Sequence, residues 1–152
     1  MTTRSSPVVN TFTYGDINID LAETTGNDYK IIPGVDIAKD PKVTVKANSE
    51  ACWLFVKVEK TGTFVTGKVS YAIADGWTAL EGQTGVYYRT VDATTADKDF
   101  YVLKDNKVTV SDTLTKEDIK NITTRPTLTF TAYAVQKDNI ADAATAWAKV
   151  NP

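Results

Sequence analysis

Ile17, Ile19 and Leu21 alternate with Asp16, Asn18 and Asp20, the period-two signature of a strand with one dry and one wet face. Lys42-Val43-Thr44-Val45-Lys46 repeats that alternation, and Thr127 to Gln136 carries it over a whole long strand. From Ala51 to Val56 every residue is apolar, a run too short for a helix and suited to a strand covered on both faces. Alternation resumes at Lys57-Val58-Glu59-Lys60, so burial on the Trp53/Phe55 side is expected to end there. Further strands are predicted at Lys68 to Ala74, Trp77 to Leu80, Val86 to Val91, Phe100 to Leu103 and Val108 to Val110. Lys30-Ile31-Ile32 reads as a short strand entering a Pro33-Gly34 turn, and Asp40-Pro41 marks the next boundary. Asp105-Asn106 has the residue types that tolerate left-handed backbone, which predicts a hairpin over Phe100 to Val110.

Two helices break this pattern. Over about 113–121, Thr115 is placed as N-cap with Asp118 three residues on as its capping-box partner. Over about 139–150, alanine content predicts a helix whose Ile140, Ala144 and Trp147 share a face, with Trp147 pinning it to the body. Many short strands separated by turn signals, with helices as decoration, predict an all-β chain: an antiparallel, jelly-roll-like β-sandwich. Residues 1–13 are expected to form an N-terminal extended segment and residues 14–152 a single domain.

Composition narrows the chemistry. A chain of 152 residues that is 42% hydrophobic can bury a core as one domain. Its 17 basic and 19 acidic side chains nearly cancel, which gives no electrostatic footprint for nucleic acid. No apolar run approaches the roughly 20 residues of a membrane span, and Met1 to Ser6 lacks the apolar stretch of a signal peptide. There is no histidine, which removes Ser-His-Asp triads, Cys-His dyads and His-ligated zinc or iron sites. The one cysteine, Cys52, lies in the all-apolar run and reads as an inert, buried small hydrophobe.

Other constellations are weak. Asp16, Asn18 and Asp20 have the opening spacing of a calcium loop, but the Gly and Glu it needs are replaced by Leu21 and Asn27. Asp92, Asp97 and Asp99 flank a loop that could hold a cation, although scattered surface acids are usually just solvated. Glu23, Glu50, Glu59 and Glu81 stand at no spacing diagnostic of a glycosidase pair. Gly82-Gln83-Thr84-Gly85 lacks the lysine and following helix of a phosphate loop and reads as a turn. No catalytic, cofactor-binding or metal-binding residue is assigned. Trp77, Tyr87 and Tyr88 suggest a stacking platform for sugars, set against their commoner role as core and strand-pairing residues.

The N-terminus raises a different question. Pro7-Val8-Val9-Asn10-Thr11-Phe12-Thr13 is extended by its proline and β-branched content, and terminal segments fray unless something holds them. Addition as a strand to a partner subunit is one answer, and packing on its own domain is the other.

Val9-Asn10-Thr11-Phe12-Thr13-Tyr14-Gly15-Asp16-Ile17, Tyr29 to Gly34 and Lys39 to Val45 resemble the TasA/camelysin family of secreted bacterial matrix proteins. Ser49 to Val58 and Leu128 to Gln136 carry the same likeness, the latter followed by the alanine-rich helix with Trp147. The resemblance spans residue 9 to about 150 and is least diagnostic over Val86 to Asp112. It implies a jelly-roll subunit, exported and read here as a mature form, that assembles outside Gram-positive cells into fibres of the biofilm matrix. In related fibres the N-terminal segment of one subunit is donated as a strand into the next. By position that role falls on Pro7, Val8, Val9, Asn10 and Phe12, with either Val8 and Phe12 or Pro7 and Val9 as the buried side chains. The implied partners are identical subunits in a filament and a minor anchoring or accessory matrix protein, without nucleic acid or membrane insertion. The camelysin branch has been described as a protease, but a chain without histidine does not suit a zinc protease of the usual type, and no enzymatic role is expected. The alternative is a cell-surface carbohydrate-binding or adhesive β-sandwich module.

Overall fold

The computed structural model describes residues 11–25 and 29–150. In chain order its strands are β1 (Thr11–Tyr14), β2 (Ile19–Ala22), β3 (Ile37–Ala38), β4 (Lys42–Val45), β5 (Cys52–Thr61), β6 (Val69–Ser70), β7 (Thr78–Ala79), β8 (Val86–Val91), β9 (Lys98–Tyr101), β10 (Lys107–Val110) and β11 (Thr127–Gln136). The helices are α1 (Lys116–Lys120) and α2 (Ala143–Val150).

β5 and β11 are the longest strands and pair antiparallel from Thr127↔Thr61 to Gln136↔Cys52. They form the centre of a five-stranded sheet ordered β1-β11-β5-β8-β7. Two three-stranded sheets, β3-β10-β6 and β2-β4-β9, supply the opposing layer. Within them, Lys39 N–H donates to the Asn106 carbonyl beside the β3–β10 pairing and Val102 N–H to the Pro41 carbonyl beside the β4–β9 pairing. Ile19, Leu21, Val43, Val45, Val108 and Val110 from that layer meet Cys52, Leu54, Val56, Phe130, Ala132 and Ala134 in one core. The chain is therefore an all-β sandwich with short helices, and its long strands and main pairings are antiparallel.

The other face of the five-stranded sheet is also covered. α2 lies on it, and Trp147 meets Tyr133 edge-on at 4.7 Å and Phe55 at 5.2 Å. This explains the unbroken apolar run: Cys52, Leu54 and Val56 face the sandwich while Trp53 and Phe55 face the helix. On that second face burial fades at Lys57, while Val58 stays in the core. Thr115 caps α1, its hydroxyl accepting from Asp118 N–H and the Asp118 carboxylate accepting from Thr115 N–H.

Several expectations are corrected. Phe100 to Val110 is not a hairpin: Asp105 and Asn106 do take positive φ (57° and 52°), but β9 pairs with β4 and β10 with β3 and β6. Burial of Val102 and Leu103 in the core holds the two strands apart onto different partners. Lys30-Ile31-Ile32 joins no sheet; Ile31 leans on the core while Ile32 is exposed and its carbonyl accepts from Val35 N–H around the Pro33-Gly34 turn. The 68–74 strand shrinks to Val69–Ser70 plus a bridge from Ile73 to Leu103. On α2 the buried face is Ala143, Ala146 and Trp147, and Ala144 is exposed. The Asp142 carboxylate caps Thr145 N–H at 2.8 Å and starts the helix later than expected, leaving half-buried Ile140 outside it.

Candidate functional site

The N-terminal edge is the part of the molecule on which the sequence placed a role. Of the five residues singled out, Phe12 lies in β1, and Pro7, Val8, Val9 and Asn10 lie outside the described residues. β1 runs parallel to β11, from Thr11↔Ala132 to Tyr14↔Val135, in a sheet whose other pairings are antiparallel. It is an edge strand whose side chains are largely exposed. Within the single chain Phe12 is 52% exposed. It sits on the α2 side of the sheet and stacks on Tyr133 with ring centroids 5.3 Å apart. Tyr14, two residues on, lies beneath the Lys149 ammonium at 5.7 Å. The expected boundary after residue 13 thus falls inside β1, whose last residue is Tyr14.

Gly15 turns the chain out of this sheet and into the opposing layer. Its φ is +104°, and a Cβ there would stand 2.4 Å from Gln136 Cβ, so glycine is required twice over. Asp16 N–H then donates to Gln136 Oε1 at 2.9 Å, latching the crossing to the end of β11. Tyr133, Gln136 and Gly15 were not singled out from the sequence. A glycine between two alternating runs was the one available signal, while the roles of Tyr133 and Gln136 depend on pairing across 120 residues.

The other candidates disperse. Tyr87 faces the sandwich core, whereas Tyr88 faces the opposite side of β8 and packs on Trp53 and Phe55. Trp77 donates its indole N–H to the Tyr101 carbonyl, and Arg89 lies between Trp77 and Phe100, 4.7 and 4.4 Å from their ring centres. Trp77, Tyr87 and Tyr88 therefore share no platform. Asp97 accepts from Ala47 N–H at 2.8 Å and from Lys46 at 3.4 Å, contacts that hold its carboxyl below the usual range. Asp99 accepts from the Thr44 hydroxyl at 2.7 Å. These acids tie strands together, and no group of three or more Cys, Asp or Glu placed to hold a metal exists among the described residues. Glu23 forms an ion pair with Lys39 at 2.9 Å, their side chains only 7% and 1% exposed. Glu50, Glu59 and Glu81 are exposed on separate elements. Cys52 is fully buried, and its thiol is pushed up to about 12 by that burial. Gly82 to Gly85 forms the turn between β7 and β8.

Comparison of the chain with protein-family models, with curated proteins and with solved structures returns no match.

Proposed function

We propose that this chain is a non-catalytic structural subunit of an extracellular fibre of the bacterial matrix type, assembling head to tail by donating its N-terminal strand to the next subunit. The observation that carries the reading is the manner in which β1 is attached. A parallel edge strand needs no hairpin to its neighbour, so the strand that covers such an edge can come from its own chain or from another. Among the described residues β1 pairs with β11 alone, its side chains are mostly exposed, and it leaves the sheet through Gly15. The β11-β5-β8-β7 pairings are antiparallel throughout and none of them runs through β1. The family resemblance across residue 9 to about 150 supports the same reading.

Donation of this kind is heterologous, so it propagates into a filament rather than closing into a dimer. Identical subunits are then the principal partner, with a minor anchoring or accessory matrix protein at the filament end, and the working location is the cell surface or matrix. No residue is assigned a catalytic role in this reading.

Negative-stain electron microscopy of the whole chain across concentration and pH, beside a chain lacking residues 1–12, tests it. Uniform filaments that require residues 1–12 are expected. Filaments that persist in the deletion overturn strand donation, and a monomer under every condition overturns assembly.

A further inference from the structure

A cleft opens at the end of the sandwich where β5 passes beyond the core. It has a volume of about 440 Å³, within the range of roughly 300–1,000 Å³ typical of small-molecule sites. Three aromatic rings line it: Phe64 from the loop after β5, Tyr71 just beyond β6, and Tyr87 from the core face of β8. Each is half-buried and packs against the main core, so the rings are held in place from behind. Lys60 stands on the same face of β5 as Val58 and brings its ammonium over the Phe64 ring, 5.4 Å from the centroid. Among the described residues Lys60 forms no ion pair.

The polar groups of the cleft are hydroxyls. Thr66 and Ser70 join those of Tyr71 and Tyr87, and neither tyrosine hydroxyl has a hydrogen-bond partner among the described residues. Burial, with Tyr87 adding to it, pushes the Tyr71 hydroxyl up, so it remains a proton donor at neutral pH. An apolar occupant would cover the rings but strand these hydroxyls without partners. A sugar presents an apolar ring face and a rim of hydroxyls, which answers both halves of the lining. An unpaired ammonium at the mouth adds a preference for negative charge.

We propose that this cleft binds an acidic glycan, one sugar ring packing on Phe64, Tyr71 and Tyr87 while its carboxylate meets Lys60. The site uses neither β1 nor α2, so it stands or falls independently of filament assembly.

Isothermal titration calorimetry of the whole chain with tetragalacturonate, against neutral galactotetraose, tests the assignment. Tetragalacturonate is expected to bind more tightly than the neutral tetramer, and added salt to narrow the gap. Tyr71→Ala should weaken both by about tenfold or more. Lys60→Gln, at an exposed position that does not threaten the fold, should weaken tetragalacturonate by about fivefold and leave the neutral sugar unchanged. Absence of heat with either tetramer at millimolar concentration overturns the proposal. Equal affinity for the two removes the acidic preference, and binding untouched by both substitutions places the sugar elsewhere.

Discussion

Cys52 illustrates how far burial alone fixes the chemistry of a side chain. Its thiol is fully enclosed and pushed up to about 12 by desolvation. At pH 8 the thiol is overwhelmingly protonated, and burial keeps it out of reach of reagent. Native protein is therefore expected to resist a thiol-specific reagent such as DTNB, with labelling following the rate of global opening. Fast labelling in native buffer would place Cys52 at a surface. The Lys39–Glu23 pair makes a different demand, because removing one member leaves the other charge buried. Glu23→Ala is expected to cost about 3 kcal/mol in denaturant unfolding. Joint replacement of Lys39 and Glu23 by Met and Leu should recover part of that loss, because both charges of the pair are then removed together. Neither member was picked out as an ion pair in the sequence, since Glu23 and Lys39 meet only when the chain between them folds back.

Elements divide by whether their signals are local. The capping box at Thr115 and Asp118 was legible because both hydrogen bonds lie within three residues. β11 was legible as a strand because Leu128, Phe130, Ala132 and Ala134 recur at period two on its core face, whereas the alternation expected over its whole length gives way from Phe130 to Val135, where Tyr133 and Val135 are buried on the α2 side. The β9–β10 hairpin failed because its turn residues were read correctly while the choice of partner rests with β3, β4 and β6. Likewise, nothing near Phe64, Tyr71 and Tyr87 in sequence shows that they share a cleft. Two predictions belong at this scale. The Asp118 carboxyl is held down to about 2, chiefly by the Lys68 ammonium at 2.8 Å and then by Thr115 N–H. A carboxyl depressed below its unfolded value of about 3.9 supports the fold above that pH and loses its contribution as pH falls toward 2. Lys68→Met should raise the midpoint seen in a carbon-13 carboxyl titration by NMR, and an unmoved midpoint would remove Lys68 as the cause. On α2, Trp147 carries the contact with Phe55 and Tyr133. Trp147→Ala is expected to cost about 3–5 kcal/mol and to expose α2 amides to hydrogen exchange ahead of those in β5.

At the scale of the whole molecule, the aromatic contacts form a chain across one face of the central sheet. Phe12 stacks on Tyr133, Tyr133 meets Trp147 edge-on, and Phe55 makes tilted contacts with both Trp147 and Tyr88. β1 is its outermost and most exposed link. Stability should therefore reside in β5, β11 and α2, while the N-terminal strand remains exchangeable at modest cost. If the strand is donated, each subunit has one donor and one acceptor, and the filament has two unlike ends. A chain lacking residues 1–12 keeps the acceptor and has no donor. It can receive a strand but cannot pass one on, so it terminates growth at one end. Mixing it into full-length protein is expected to shorten filaments progressively, to about ten subunits on average when one subunit in ten is truncated and both are taken up equally. Length distributions from negative-stain images measure this directly. Filaments whose length ignores the truncated chain would mean that growth does not pass through the N-terminal strand, and the role of β1 would then be confined to covering the edge of its own sheet.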